Sequence, residues 1–240
     1  MKNLIIFGLF IIALVMVQFA QAQTVDEVIT KYTDALGGKE KCAAIKSVTM
    51  DGITERNGNE ITSKTTKVQG KLYRNELNFG MGSITTVVTA EKGWRSNPRN
   101  GGAFEAMSEE ALKGMEAQLD CVNPMVDYAA KGHKAELVSK DTVDGVICNK
   151  IKLTTKGGKE IFYWIDAKTN LLYQSSQKGS GFGGNRGEVD IISVYKDYKA
   201  VEGVMFPFST ELKGAMAGSP LVYEKIEANK PVDEKLYKPE

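Results

Sequence analysis

The chain has 240 residues, with 31 basic against 30 acidic side chains, one histidine, three cysteines and a hydrophobic fraction of 42%. A formal charge of +1 gives no basic field for nucleic acid, and a 25% charged fraction with ordinary apolar content marks a folded chain. So few histidines and cysteines exclude a disulfide-rich scaffold and leave little for histidine-based metal or triad chemistry.

Residues 1–22 carry the pattern of a cleaved secretory signal. Lys2 supplies the positive start, Leu4 to Val17 form an apolar run, and Ala20-Gln21-Ala22 places small residues where a signal peptidase inspects them. The cut is expected before Gln23. Polar residues follow at once without a basic stop-transfer cluster, which argues against a membrane anchor. No cysteine stands at the new N-terminus to carry a lipid. The mature protein, residues 23–240, is therefore expected to be a soluble, monomeric, periplasmic single domain. Cys42, Cys121 and Cys148 permit either one disulfide with a free thiol or three buried thiols.

Thr24-Val25-Asp26-Glu27 is a capping-box pattern, and Val25, Val28, Ile29, Tyr32 and Leu36 recur at helical spacing until Gly37-Gly38. Lys39 to Lys46 reads as a second short helix. From Ser47 the pattern changes to strands, expected near 47–55, 60–70, 71–79, 83–90 and 92–96. After an interruption come 134–142, 146–155, 159–166, 171–178, 187–198, 204–213 and 220–229. Asn57-Gly58, Asp144-Gly145, Gly157-Gly158 and Glu202-Gly203 supply turns. Short connections between successive strands predict an antiparallel meander.

The interruption spans residues 97–132. Asn97 to Gly102 reads as a flexible approach, and Ser108-Glu109-Glu110 starts a helix with the stripe Leu112, Met115 and Leu119. Asn123-Pro124 starts another, carrying Met125 and Tyr128 before Gly132. These helices either cover core strands or form a lid over a cavity. Residues 161–165 and 204–208 are apolar on both faces, so both faces of those strands are expected to be covered.

Chemical motifs are sparse. Gly179 to Gly184 matches G-x-G-x-x-G, but a strand follows where the dinucleotide fingerprint needs a helix, so a mobile hairpin loop is expected. His133 beside Lys131 and Lys134 reads as a solvated loop residue, and Asp141 and Asp166 read as turn carboxylates holding local N–H groups. No paired-carboxylate, nucleophile-elbow or metal-ligand spacing occurs, so no catalytic residue, metal or cofactor is assigned.

Several segments together resemble the LolA/LolB-like superfamily, within it the outer-membrane lipoprotein-sorting proteins. They are Val28-Ile29-Thr30-Lys31-Tyr32 through Ala35-Leu36-Gly37-Gly38, Lys71-Leu72-Tyr73-Arg74-Asn75-Glu76, and Gly93-Trp94 with Asn97-Pro98. Phe162-Tyr163-Trp164-Ile165-Asp166 with Thr169-Asn170-Leu171-Leu172, then Tyr198 through Gly203-Val204 to Phe206-Pro207-Phe208, continue the match. Val232-Asp233 with Leu236-Tyr237 closes it.

The resemblance implies a mainly β (α+β) fold, an antiparallel incomplete β-barrel with helices covering its concave face and residues 97–132 as a helical lid. It implies a soluble carrier of lipoprotein acyl chains, or of another apolar lipid-like ligand, in a half-barrel cavity. Its partners would be an acylated lipoprotein or lipid and the inner- or outer-membrane lipoprotein machinery. The expected cavity and lid residues are Leu72, Arg74, Trp94, Leu112, Met115, Leu119, Met125, Phe162, Trp164, Phe206 and Phe208. Arg74 would match an arginine that hydrogen-bonds the lid. The alternative is a non-catalytic envelope interaction or sensor domain that binds a peptide or protein partner. An enzyme on the same scaffold would need a constellation the sequence lacks.

Overall fold

Three acidic- or amide-glycine pairs set much of the strand register. Asn57-Gly58, Asp144-Gly145 and Glu202-Gly203 all have both residues at positive φ, from 49° to 82°. Successive left-handed residues of this kind match the right-handed twist of the strands they join. The computed structural model describes residues 23–98, 101–180, 188–214 and 217–239. The expected signal at 1–22 lies outside the described residues, as does most of the glycine-rich loop.

Two helices open the described chain, α1 (Val25–Leu36) and α2 (Lys39–Ala44). Thr24 and Glu27 form the expected reciprocal cap, and Gly37 stops α1 at φ 126°. Six strands follow: β1 (Ser47–Arg56), β2 (Asn59–Val68), β3 (Leu72–Asn78), β4 (Ser83–Thr89), β5 (Gly93–Asn97) and β6 (Ala103–Ala106). Helix α3 (Glu109–Gly114) and a 3-10 turn (Glu116–Leu119) come next. The second strand set is β7 (Lys134–Val143), β8 (Val146–Thr154), β9 (Glu160–Asp166), β10 (Leu172–Ser180), β11 (Glu188–Val201), β12 (Val204–Lys213) and β13 (Leu221–Ala228). A 3-10 turn (Glu234–Tyr237) ends the chain.

All thirteen strands belong to one antiparallel sheet, ordered β6-β5-β4-β3-β2-β1-β13-β12-β11-β10-β9-β8-β7. One meander runs outward from β1 to β6, a second runs inward from β7 to β13, and β13 pairs with β1 at the centre. The edges β6 and β7 do not meet, so the sheet is an incomplete β-barrel. This topology has a physical consequence. Because β6 and β7 are opposite edges yet consecutive strands, the chain between them must cross the open side.

That crossing segment departs from expectation in two places. Residues 103–106, just after the expected flexible approach and with no strand expected there, form β6, pairing Trp94 with Ala106 and Asn97 with Ala103. The helix expected from Asn123-Pro124 is a run of turns instead. Its backbone bonds span three residues, Val126 to Asn123 and Tyr128 to Met125, and Asp127 at φ 55° breaks helical continuation.

The core lies between the concave face and α1. Val28, Ile29, Tyr32 and Leu36 pack with Ile151, Leu153, Ile161, Tyr163 and Ile165 of the sheet. Met125 of the crossing segment joins them and is fully buried. Gly37 sits against the β11–β12 turn, where a Cβ would stand 2.2 Å from the Gly203 carbonyl oxygen. Glycine is the residue that fits there.

Strand alternation explains the doubly apolar β9. Ile161, Tyr163 and Ile165 face the core, which leaves Phe162 and Trp164 on the convex face. On that face Trp164 is 9% exposed and Phe162 half-buried, beneath neighbouring side chains. Lys150 lies 5.2 Å from the Phe162 ring centroid and 4.9 Å from that of Trp164. Asp141 accepts a hydrogen bond from Trp164 Nε1 at 3.0 Å and one from Ser139 Oγ at 2.6 Å. A cation over the rings and a carboxylate on the indole help cover an aromatic pair on the convex sheet face.

Candidate functional site

The central seam of the sheet is loose. Strands β12 and β13 share only the register pairs Ser209–Val222 and Thr210–Leu221. Beneath this seam, between the sheet, α1 and residues 117–124, lies a cavity of about 280 Å3. Its walls include Met50, Leu36, Ile161, Leu172, Met205 and Phe206, with Thr65, Ser175, Gln177 and Lys67 among the polar groups. Six of the nine tyrosines line it: Tyr32, Tyr73, Tyr163, Tyr195, Tyr198 and Tyr223.

These phenols arrive by simple geometry. Tyr73 pairs with Lys67 across β2 and β3, so both point to the concave face. Asp197 at φ 55° twists β11 so that Tyr195 and Tyr198, three residues apart, both reach the cavity. Tyr198 donates to the Leu172 carbonyl at 2.8 Å, and Tyr195 shares a 2.9 Å bond with Ser175. Burial pushes the Tyr73 phenol up to about 12 and raises Tyr32, Tyr163, Tyr195, Tyr198 and Tyr223 as well. All six stay neutral donors at ordinary pH. Lys67 donates to the Asp120 carbonyl at 3.0 Å and lies 5.6 Å from the Tyr73 ring centroid; burial holds its ammonium below the ordinary lysine value.

A second, more open cavity of about 850 Å3 lies beside the crossing segment. Val88, Ala90, Leu112, Leu119 and Ala130 form its apolar walls, with Glu109, Lys113, Glu116, Lys131, His133 and Lys156 around them. Asp120 borders both cavities.

The crossing segment is tied to both halves of the sheet. On one side Gly70 N–H donates to Leu119 O at 2.9 Å, and Gln69 bonds both Asp120 Oδ1 and Cys121 N–H at 2.8 Å. Leu112 and Met107 pack over Gly93, where a Cβ would stand 2.7 Å from Met107 Sδ. On the other side Glu116 accepts from Gly157 N–H and pairs with Lys156, each at 3.0 Å, and Lys159 Nζ reaches Gly114 O. Asp120 and Lys131 form an ion pair at 2.6 Å within the segment.

The residues singled out from the sequence fall into three groups. Leu112 and Leu119 border the larger cavity, and Phe206 the smaller one. Met125 fills the core beneath the segment, and Met115 sits half-buried at the joint after α3, bordering neither cavity. The others stand elsewhere. Register puts Leu72, Arg74 and Trp94 on the face opposite Tyr73, since Arg74 pairs with Val87 and Val87 with Trp94. Arg74 donates to the Leu236 and Lys238 carbonyls, so it holds the C-terminal turn and not the crossing segment. Phe162 and Trp164 lie on the convex face, and Phe208 carries the Lys199 ammonium 4.6 Å from its ring centroid. A large aromatic side chain signals burial from the sequence, but one residue of strand register decides which face receives it.

His133 is another correction. It is buried, and its Nδ1 accepts the Lys156 N–H at 3.0 Å, so the loop folds over it. Asp166 does hold its turn, accepting from Lys168 N–H and Thr169 Oγ. Strands β10 and β11 pair antiparallel up to Ser180–Glu188, and the expected glycine-run loop between them, 181–187, lies outside the described residues. The three cysteines are free and buried, and burial pushes the Cys121 and Cys148 thiols to about 11. Among the described residues no cluster of histidine, cysteine or carboxylate suits a metal, and no helix is long and apolar enough to cross a membrane.

No family model and no curated protein matches the sequence. Solved structures do match the fold. A DUF1329 family protein from Desulfovibrio piger superposes with a TM-score of 0.57 at 12% identity, over 90% of this chain and 98% of that one. A LolA superfamily protein from Nitrosomonas europaea gives 0.55 at 13% identity, over 91% and 99%. A candidate outer membrane lipoprotein-sorting protein domain from Vibrio parahaemolyticus gives 0.52 at 9% identity, over 88% and 94%. At these identities the likeness concerns architecture, and the open thirteen-stranded sheet with its crossing segment has a LolA-like fold.

Proposed function

We propose that the protein is a non-catalytic carrier in the cell envelope, holding the acyl chain of a lipoprotein or another lipid-like ligand beneath the crossing segment. The observation that carries this reading is the unfilled concave side: two cavities, about 280 and 850 Å3, adjoin the segment that spans the open barrel. Side chains could have filled that space, as cores usually are. The larger volume lies within the range of small-molecule sites. Each methylene buried there would contribute about 0.8 kcal/mol, so binding needs no catalytic group. Two of the structural neighbours bear LolA or lipoprotein-sorting names, which supports the same reading. Residues 1–22 would direct export and be removed, leaving the carrier periplasmic.

In this reading residues 97–132 act as a lid. Met125 stays anchored in the core, while the ties of residues 114–119 to the β8–β9 side are hydrogen bonds and an ion pair, which can part without dismantling that core. A fluorescent fatty-acid probe tests the reading. Binding should saturate, and Leu112→Asp should weaken it by about tenfold or more, the worth of one buried leucine. Absence of binding across fatty acids, lysolipids and acylated peptides would overturn it.

A further inference from the structure

The smaller cavity is unlike a plain acyl pocket. Tyr32 and Tyr163 are 2% and 4% exposed, line it, and make no protein hydrogen bond among the described residues. Their hydroxyls are not sealed in by protein, because Asn149 Oδ1 is the buried side-chain polar atom that lacks a partner among the described residues. The two hydroxyls therefore open onto the cavity. Lys67 has three donors and spends one on the Asp120 carbonyl. Two neutral phenol donors and an ammonium thus line one small space, which an acceptor would suit. Buried polar groups ordinarily find such partners.

We propose that this cavity binds an anionic oxygen head group, a carboxylate or phosphate on a single-chain amphiphile, with Lys67 as counter-charge and Tyr32 and Tyr163 as hydrogen-bond donors. The proposal rests on the carrier reading and specifies its ligand class. At about 280 Å3 the cavity suits one head with a short length of chain, and the rest of the chain extends past Asp120 toward the larger cavity that Asp120 also borders. The acceptor is charged because Lys67 brings a cation that makes no ion pair among the described residues, the nearby Asp120 carboxylate being engaged by Lys131 at 2.6 Å and Gln69 at 2.8 Å, and charge-assisted hydrogen bonds in a shielded site are the strong ones.

Calorimetric titration of the purified protein with dodecanoate, dodecyl phosphate, methyl dodecanoate and inorganic phosphate tests this. The anionic amphiphiles should bind about tenfold or more tightly than the neutral ester, the worth of one charge-assisted hydrogen bond. Lys67→Met should erase that preference while leaving ester binding, Lys67→Arg should restore it, and Tyr163→Phe should reduce it in a protein that keeps its aromatic ring. A wild-type protein that binds ester and acid equally overturns the head-group proposal and leaves the carrier reading standing. Persistence of the preference in Lys67→Met also overturns it. Inorganic phosphate binding as tightly as dodecyl phosphate would make the site one for a free anion and overturn the amphiphile. Binding of none of the four overturns the head-group proposal, and the carrier reading falls with it only if lysolipids and acylated peptides also fail to bind.

Discussion

Lys67 of β2 donates to the carbonyl oxygen of Asp120 at 3.0 Å, joining the floor of the sheet to the segment that crosses its open side. That bond, with Gly70 to Leu119 and Gly157 to Glu116, makes the segment a strap fixed at both ends. The ties differ in kind. Gly70–Leu119 is backbone to backbone, whereas the far end depends on side chains, the Glu116 carboxylate on Gly157 and Lys156 and the Lys159 ammonium on Gly114.

Glu116→Ala should therefore loosen the β8–β9 end of the strap and leave the sheet intact. The cost should be about 1–3 kcal/mol of local opening, because a charged acceptor is lost from a backbone N–H. Hydrogen exchange should quicken at residues 109–119 while β1, β2 and β13 keep their protection. Uniform loss of protection would show that the strap and core open as one unit.

Two core substitutions probe what holds α1 and the crossing segment down. Met125 is fully buried, so Met125→Ala should cost about 2–5 kcal/mol. Gly37→Ala combines a Cβ placed 2.2 Å from the Gly203 carbonyl with a φ of 126°, and should cost about 2 kcal/mol or more. For a domain of this size, each kcal/mol lowers Tm by about 2–4 °C. Thermal unfolding of the two variants checks both. A Gly37→Ala protein of unchanged Tm would mean that α1 does not dock on the β11–β12 turn.

The chain's one histidine gives a clean pH test. Burial holds the His133 imidazole below its ordinary value, against the upward pull of Asp120 and Glu116 and together with Lys131 and Lys156. A depressed folded value means that the unfolded chain binds the proton more readily. The associated stability is complete above the unfolded value of about 6.5 and is lost as pH falls from there through the folded value. The imidazole resonance should titrate below about 6.5, and the loss of stability as pH falls below about 6.5 should flatten in His133→Gln. A titration midpoint at or above the unfolded value would contradict the buried placement.

Spectroscopy can check which face carries the aromatics. Both tryptophans, Trp94 and Trp164, lie away from the cavities, so a saturating non-fluorescent fatty acid should leave the tryptophan emission essentially unchanged. Strong quenching would mean that one of them borders the ligand. A thiol reagent should likewise label none of the three cysteines in the folded protein and all three in denaturant.

The strand order was legible because its punctuation is local. Asn57-Gly58, Asp144-Gly145 and Glu202-Gly203 state their turns in two residues, and the Thr24–Glu27 cap states its helix in four. What the sequence concealed depends on distant parts of the chain. Strand β6 has four residues and exists because β5 offers an edge. Asn123-Pro124 looks like a helix start, yet Asp127 turns left-handed and its side chain pairs with Lys39 of α2 at 2.8 Å. The tyrosines were the missed signal at the site. Tyr73, Tyr163, Tyr195 and Tyr223 sit on four strands separated along the chain, and only the curl of the sheet gathers them. An unusual number of tyrosines at inward strand positions was the available clue, since a buried phenol needs a partner for its hydroxyl.

Native mass spectrometry of the protein purified from its own cells tests the carrier account most directly. The account predicts a bound species whose released mass contains an acyl chain, with the bound fraction falling in Leu112→Asp. A wild-type protein that flies as the bare polypeptide, and stays bare after incubation with fatty acids and acylated peptides, would contradict it.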